Sequence, residues 1–403
     1  MRVLVVFFVL VLVSACTSAG EEATTSVTVP TSAAWSQVPD DAAVFGGEGD
    51  QVMWDVTVGG PGLVAVGMDG FGRDADAVVW TSVDGINWVR LPDDEAVLGG
   101  EPSISVLQGV TVGGPGLVAV GSYGFPADVD AAVWTSADGT SWTRVPHDDT
   151  VFGGTSPQWM LDVTVGGPGL VAVGSDYRDA AVWTSVDGIK WVRVPHDEAV
   201  FGGEGVQEIE HVAAGGPGLV AVGYDESNDS SDGAVWTSPD GTSWSRIPDD
   251  EAVFGGEGFQ GLSSVVAGGP GLVAVGTDGP DDNEDAAVWT SADGITWTQA
   301  PHDDSAFGGD GEQSMWDVTL GGPGLVAVGW DGTDTGDTGV GDAAVWTSKD
   351  GITWVRVPHD ATVFGGEGDQ IMWSLTTGGP GLVGVGWDES GGDLDAAVWT
   401  TED

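Results

Sequence analysis

The phrase GGPGLVAVG, or a near copy of it, begins at Gly59, Gly113, Gly166, Gly215, Gly268, Gly321 and Gly378. The spacing is about 53 residues, and a period of that size marks an array of one supersecondary unit. After each copy comes a variable acidic stretch, then AVWTS or a variant, then DGxxW, then a short segment ending in Pro. Each repeat therefore reads as four short strands. The first alternates, as in WDVTV at 54–58. The second, LVAVG, is apolar on both faces, which predicts a strand buried on both sides. GGPG joins the two as a turn, since Gly supplies backbone angles other residues avoid and Pro presets φ. The third strand is AAVWTS, and the fourth ends on a Pro that cannot donate to a ladder, as suits an outer edge. No stretch shows a helical period.

Four-stranded repeats of this length predict an all-β chain, a seven-bladed β-propeller with four antiparallel strands per blade. The rival is a β-solenoid, whose repeats should be whole and whose ends need caps. The seventh repeat is not whole. It stops at AAVWTTED, 396–403, before any fourth strand, while AAWSQVP at 33–39 carries Trp35 and Pro39 at the spacing of Trp88 and Pro92. The expectation is that this N-terminal strand pairs with 396–400 and closes the last blade.

Three segments follow: 1–15, 16–33 and the propeller over 34–403. The apolar run from Val3 to Val13 is too short to span a bilayer and has the layout of a secretory signal. Cys16 is the chain's single cysteine, so it has no disulfide partner within the chain. Residues 13–16, Val-Ser-Ala-Cys, resemble the lipobox of bacterial lipoproteins. That resemblance implies a signal peptide over 1–15, lipidation at Cys16 and an extracytoplasmic protein anchored to the bacterial cell membrane. An ordinary signal peptide that happens to end in Cys is the alternative. Residues 16–33 are rich in Ser, Thr and Ala and read as a flexible tether.

The formal net charge is −53, and the two lysines are Lys190 and Lys349. Such an excess repels nucleic acid and anionic headgroups, so the lipid anchor is the one membrane contact expected. A cationic partner, divalent cations or a saline habitat fit it better. On the last reading, the thermal midpoint rises between dilute buffer and molar salt; an unchanged midpoint counts against it. A monomer is expected.

Six repeats carry SxDGxxW, with aspartates Asp84, Asp138, Asp187, Asp240, Asp293 and Asp350; the seventh is split between Thr401, Asp403 and Trp35. Asp-Gly between strands is a hairpin signal, and the Asp side chain can accept from the N–H groups of its own turn, which makes these residues structural. The motif resembles the Asp-box, or BNR repeat, of sialidase-like propellers, with one residue fewer between Asp and Gly. That resemblance implies a sialidase-like fold with Asp-boxes on the face opposite the site. Sialidases bind the substrate carboxylate with three arginines and use a Tyr/Glu nucleophile pair with an Asp acid/base. Here Arg90, Arg144, Arg193, Arg246 and Arg356 occupy one repeated fourth-strand position and cannot converge, so sialidase activity is not expected.

His147, His196, His302 and His359 each follow a fourth-strand Pro. Equivalent positions in separate blades cannot share one ion, and these side chains are expected in solvent.

Strand direction puts the GGPG turns and Asp-boxes on one, nearly constant, face. The variable, Asp-rich loops and connectors share the other, which suggests scaffold and recognition surface respectively. Gln51, Gln158, Gln207, Gln260, Gln313 and Gln370 hold one position, with Ser105 in the second repeat. They either satisfy connector backbone groups, the plainer reading, or ring the channel mouth. The repeat symmetry breaks in one place. Trp54, Trp316 and Trp373 are equivalent, where the other repeats have Gln108, Leu161, Glu210 and Ser263; Trp330 and Trp387 end second strands, with Met68 in the first repeat. A ring makes repeats six, seven and one neighbours and clusters these side chains beside Asp55, Asp69, Asp317, Asp331 and Asp388. Aromatic faces with carboxylates suit a sugar ring or a cation; duplication with core packing is the plainer alternative.

Two functions are expected in this order. The first is a tethered, non-enzymatic scaffold that binds a carbohydrate, a cationic ligand or a partner protein through its acidic face. The second is a glycan hydrolase using Asp or Glu of that face. Ca2+ could accompany either, since Asp-dense loops offer oxygen ligands, although no loop has EF-hand spacing. No other cofactor is expected.

Overall fold

The computed structural model describes residues 34–403 apart from 48, 71, 73–74, 100–102, 126–127, 228–229, 257, 281–283, 310, 323, 333–340 and 403. The expected signal peptide, Cys16, the tether and Asp403 lie outside the described residues. The described residues are all-β, with 28 strands, and their helical element is the single turn Glu198–Phe201. The strands form six sheets, five of four strands and one of eight, in which repeats four and five are joined by one parallel bridge between Ser231 and Phe259.

The first repeat shows the pattern: Gln51–Gly59, Gly62–Asp69, Asp76–Ser82 and Trp88–Arg90 pair in that order, each antiparallel to the next. The second strand is buried from Leu63 to Met68, as its unbroken apolar run dictates. The sheet of the seventh repeat takes its fourth strand from the other end of the chain. Trp35–Gln37 runs antiparallel to Asp395–Thr401, with Trp35 opposite Thr401 and Gln37 opposite Trp399.

The core is divided into clusters that lie between one repeat and the next. Val118, Val120 and Val133 of the second repeat, for example, meet Met160, Leu170 and Trp183 of the third. One cluster joins last to first: Val383, Val385, Ala396 and Val398 pack on Met53, Val56, Leu63 and Trp80. Each third strand contributes a fully buried indole, from Trp80 through Trp399. Its N–H donates to a connector carbonyl, as Trp80 does to Val44 at 2.7 Å. The connector is thereby pinned over the core, and the indole leaves no buried donor unpaired.

The turns repeat one contact between sheets. Gly60 has φ +56°, and a Cβ there would lie 2.9 Å from the Asp138 carbonyl oxygen of the next repeat. Gly379 of the seventh repeat meets Asp84 of the first in the same way, with a Cβ distance of 2.8 Å. The Asp-Gly turns are locked by their own side chains. Asp84 Oδ1 accepts from Ile86 N–H at 3.0 Å and Asn87 N–H at 2.7 Å. Ser82 Oγ donates to the Asn87 carbonyl, and the Trp88 indole donates to the Gly85 carbonyl. These N–H groups lower Asp84 to a pKa of about 2. A depressed carboxylate contributes stability above its unfolded pKa and loses it as pH falls towards 2. Asp84→Ala strands the two N–H groups and is expected to cost about 1 kcal/mol by urea denaturation at pH 7, less at pH 2.

Candidate ligand-binding site

Every first strand carries one β-bulge. The ladder slips between Met53 and Asp55, Leu107 and Gly109, Met160 and Asp162, Ile209 and His211, Leu262 and Ser264, Met315 and Asp317, and Met372 and Ser374. The extra residue is Trp54, Gln108, Leu161, Glu210, Ser263, Trp316 or Trp373. A bulge leaves one residue unpaired and re-aims its side chain. Here all seven extra residues line a single cavity of about 620 Å3. The residue that each bulge delivers into the cavity is thus one at which the repeats differ in chemistry.

Trp373 sits between the other two indoles, its ring 4.9 Å from Trp54 and 4.4 Å from Trp316. Trp54, Trp373 and Trp387 also pack around Val52, Met68 and Ala75. Trp330 and Trp387 line an adjoining cavity of about 940 Å3, which shares Glu210, Ser263 and Trp316 with the first. The structure therefore brings the five tryptophans and Met68 together. Neither cavity is lined by Lys or Arg among the described residues, while Glu226, Glu284, Glu312 and Asp369 join Glu210 at the wider one.

Asp55 and Asp317 face the lumen from the position after the bulge, and they tie neighbouring repeats together. Asp55 Oδ2 accepts from Val110 N–H of the second repeat at 2.7 Å, and Oδ1 accepts from Ser374 Oγ of the seventh at 2.7 Å. Asp317 accepts from Leu375 N–H at 2.9 Å and from Ser264 Oγ at 2.8 Å. Asp162 reaches Val212 N–H in the same way, and His211 reaches Val265 N–H. Burial, then the charge of Asp162, pushes Asp55 up to about 7.

Asp69, Asp331 and Asp388 do not join the indoles, contrary to expectation. Each is held within its own sheet, because a carboxylate at the end of the second strand lies beside a fourth-strand donor, Arg90, Arg356 or Gln37. Asp69 pairs with Arg90 and accepts from Gln51 Nε2 at 2.7 Å. Asp331 pairs with Arg356 and accepts from Gln313. Asp388 accepts from Gln37 and Gln370. The glutamines accordingly do not ring the channel mouth. They are buried, and Gln51, Gln158, Gln207, Gln313 and Gln370 each donate to the aspartate near the end of the second strand of their own repeat; several also donate to backbone, as Gln370 does to the Gly368 carbonyl at 3.1 Å.

Sequence reasoning passed over an acidic group in the fourth repeat. Glu208 is opposite Tyr224 in the ladder, and its oxygens accept from Tyr224 Oη at 3.3 Å and Ser175 Oγ at 2.6 Å. Glu210 has no hydrogen-bond donor among the described residues; burial, then the charge of Glu208, raises it to about 8. The signal was present: repeat four departs from its siblings at the same register as the tryptophan repeats. A carboxylate whose folded pKa is raised binds more protons folded than unfolded, so stability falls as pH climbs from about 4 to about 8. Glu210→Gln is therefore expected to stabilise the protein at pH 8.5 by on the order of 1–3 kcal/mol and to change little at pH 4. Urea denaturation at the two pH values checks it.

The rim histidines face carboxylates of their own repeats, His147 with Asp149 at 2.8 Å and His302 with Asp304 at 2.9 Å. Two groups there bring three ligand atoms within 4.8 Å of one another: Asp179, His196 and Glu198, and Asp232, Asp249 and Glu251. These are the described residues best placed to hold a metal ion.

A family model described as the DUF6242 beta propeller domain matches residues 127–316. No curated protein matches. Among solved structures, the chain is similar to the periplasmic gluconolactonase of Pseudomonas aeruginosa, at 13% identity over 77% of this chain and 84% of that one, with a TM-score of 0.49. It is also similar to a Trypanosoma rangeli sialidase in complex with the inhibitor DANA, at 13% identity over 87% of this chain and 55% of that one, with a TM-score of 0.46. Sqt1 from Chaetomium thermophilum matches at 12% identity over 84% of this chain and 80% of that one, with a TM-score of 0.43. Residues 127–316 thus match a β-propeller domain, in keeping with the four-stranded sheets of the chain.

Proposed function

We propose that residues 34–403 form a closed seven-bladed β-propeller that binds a ligand through its lumen and acidic face, displayed outside the cytoplasm on a lipid at Cys16. The observation that carries the binding role is the set of seven bulges feeding dissimilar side chains into one cavity within an otherwise repetitive sheet array. Ring closure is supported by the Gly379–Asp84 contact, the core shared by repeats seven and one, and the Ser374–Asp55 hydrogen bond. Binding is tested by titrating the full chain with a panel of neutral oligosaccharides and cations. A saturable partner that Trp316→Ala weakens at least about tenfold supports the reading; saturable binding that Trp316→Ala and Trp373→Ala leave intact contradicts it. Lipidation is tested by incorporation of a labelled fatty acid, lost in Cys16→Ser.

A glycan hydrolase is the second reading. Glu210, held protonated near neutrality beside Glu208, is what a general acid requires. Product release from an oligosaccharide, abolished in Glu210→Gln, would favour it over simple binding.

A further inference from the structure

The lumen has two unlike sides. Trp54, Trp316 and Trp373 supply one from repeats one, six and seven. Repeat four supplies the other, with Glu208 and Glu210 lining the same cavity. Two carboxylates lining one cavity cost free energy unless a proton or a positive charge compensates one of them. Among the described residues no Lys or Arg lines either cavity. His211, the one histidine among the described residues lining the cavity, is engaged elsewhere: its Nδ1 accepts from Val265 N–H, and its Nε2 lies 3.5 Å from Asp162.

The chemistry of a matching ligand follows. A neutral sugar could stack on the indoles but would leave the carboxylate pair uncompensated. A bare divalent ion would answer the charge but not the indoles. A cation with an apolar body uses both sides: indole faces attract it through their quadrupoles, and desolvation in the lumen strengthens the attraction. The net charge of −53 concentrates such ligands at the mouth.

We propose that the lumen takes an organic cation with an apolar face, such as a substituted ammonium, with the three indoles covering its body and Glu208 and Glu210 taking its charge. The proposal rests on the reading of the lumen as the ligand site and narrows that reading to one chemical class.

The test is calorimetric titration of the full chain with benzyltrimethylammonium, benzyl alcohol, benzoate, CaCl2 and neutral oligosaccharides. The cation is expected to bind at least about tenfold more tightly than the neutral alcohol, with benzoate undetectable. Glu210→Gln should remove most of that preference while leaving benzyl alcohol unchanged, and Glu208→Gln should weaken it. Trp373→Ala should weaken both aromatic probes. Circular dichroism establishes that each variant is folded. Equal binding of cation and alcohol, a preference that survives both Gln variants, or no binding of the cation overturns the proposal. If an oligosaccharide binds in a Trp373-dependent way while the cation does not, the ligand class is wrong and the lumen site stands. If some probe binds saturably but no lumen variant alters it, both readings fall.

Discussion

A chain lacking residues 34–39 does not fold cooperatively. This is the largest effect expected of any small deletion here. The segment supplies the fourth strand of the last sheet. It also buries Val38, whose N–H donates to the Val398 carbonyl at 2.8 Å. Gln37 donates to Asp388 at 2.9 Å, and Trp35 packs on Phe364 with centroids 6.4 Å apart. Burial of these apolar groups alone is worth about 4 kcal/mol, against a total stability of about 5–15 for a typical domain. The deletion also exposes Asp395–Thr401 as an open edge, which invites pairing with other chains. Thermal melting followed by circular dichroism should show a broad, irreversible transition. A sharp transition at the parent midpoint would mean the strand is dispensable.

Trp236→Ala should lower stability by about 3–5 kcal/mol through the cavity it leaves. Trp236 is fully buried, and its indole N–H donates to the Val200 carbonyl at 2.6 Å, so the substitution also strands a connector acceptor. Trp236→Phe keeps most of the volume and loses the hydrogen bond, for about 1 kcal/mol from that term. Urea denaturation of the three proteins separates the two contributions. Near-equal losses for Ala and Phe would mean that connector pinning, rather than packing, dominates.

The strand pattern was legible because its causes are local. A GGPG turn, a doubly apolar strand and an Asp-Gly hairpin each announce themselves within a few residues. The seven-fold repetition then multiplies a weak signal. The pairing of Trp35 with Thr401 was readable for the same reason, since the orphan strand keeps the spacing of its siblings. The candidate site was legible only in part. Broken repeat symmetry singled out Trp54, Trp316 and Trp373, but not the bulges that aim them inward, because a bulge is a property of a strand pair and not of one segment. Asp69, Asp331 and Asp388 were misassigned because sequence proximity to Met68, Trp330 and Trp387 carried no information about side. Adjacent strand residues point to opposite faces, and here the aspartates turn towards Arg90, Arg356 and Gln37 of the fourth strands. Glu208 and Glu210 were overlooked because, in a chain this acidic, a carboxylate draws notice only through the register it shares with the tryptophans.

Trp35–Gln37 and Asp395–Thr401 meet in one sheet, and repeat seven packs on repeat one as repeat six packs on repeat seven. Ser36 and Thr400 are register partners whose hydroxyl oxygens lie 3.4 Å apart, within reach of a disulfide after replacement. Non-reducing electrophoresis and thiol mapping of the Ser36→Cys, Thr400→Cys double variant is the most direct measurement. An intramolecular 36–400 disulfide that forms on mild oxidation and raises the melting midpoint is expected. Thiols that stay free in the folded monomer, or that link only different chains, would contradict it.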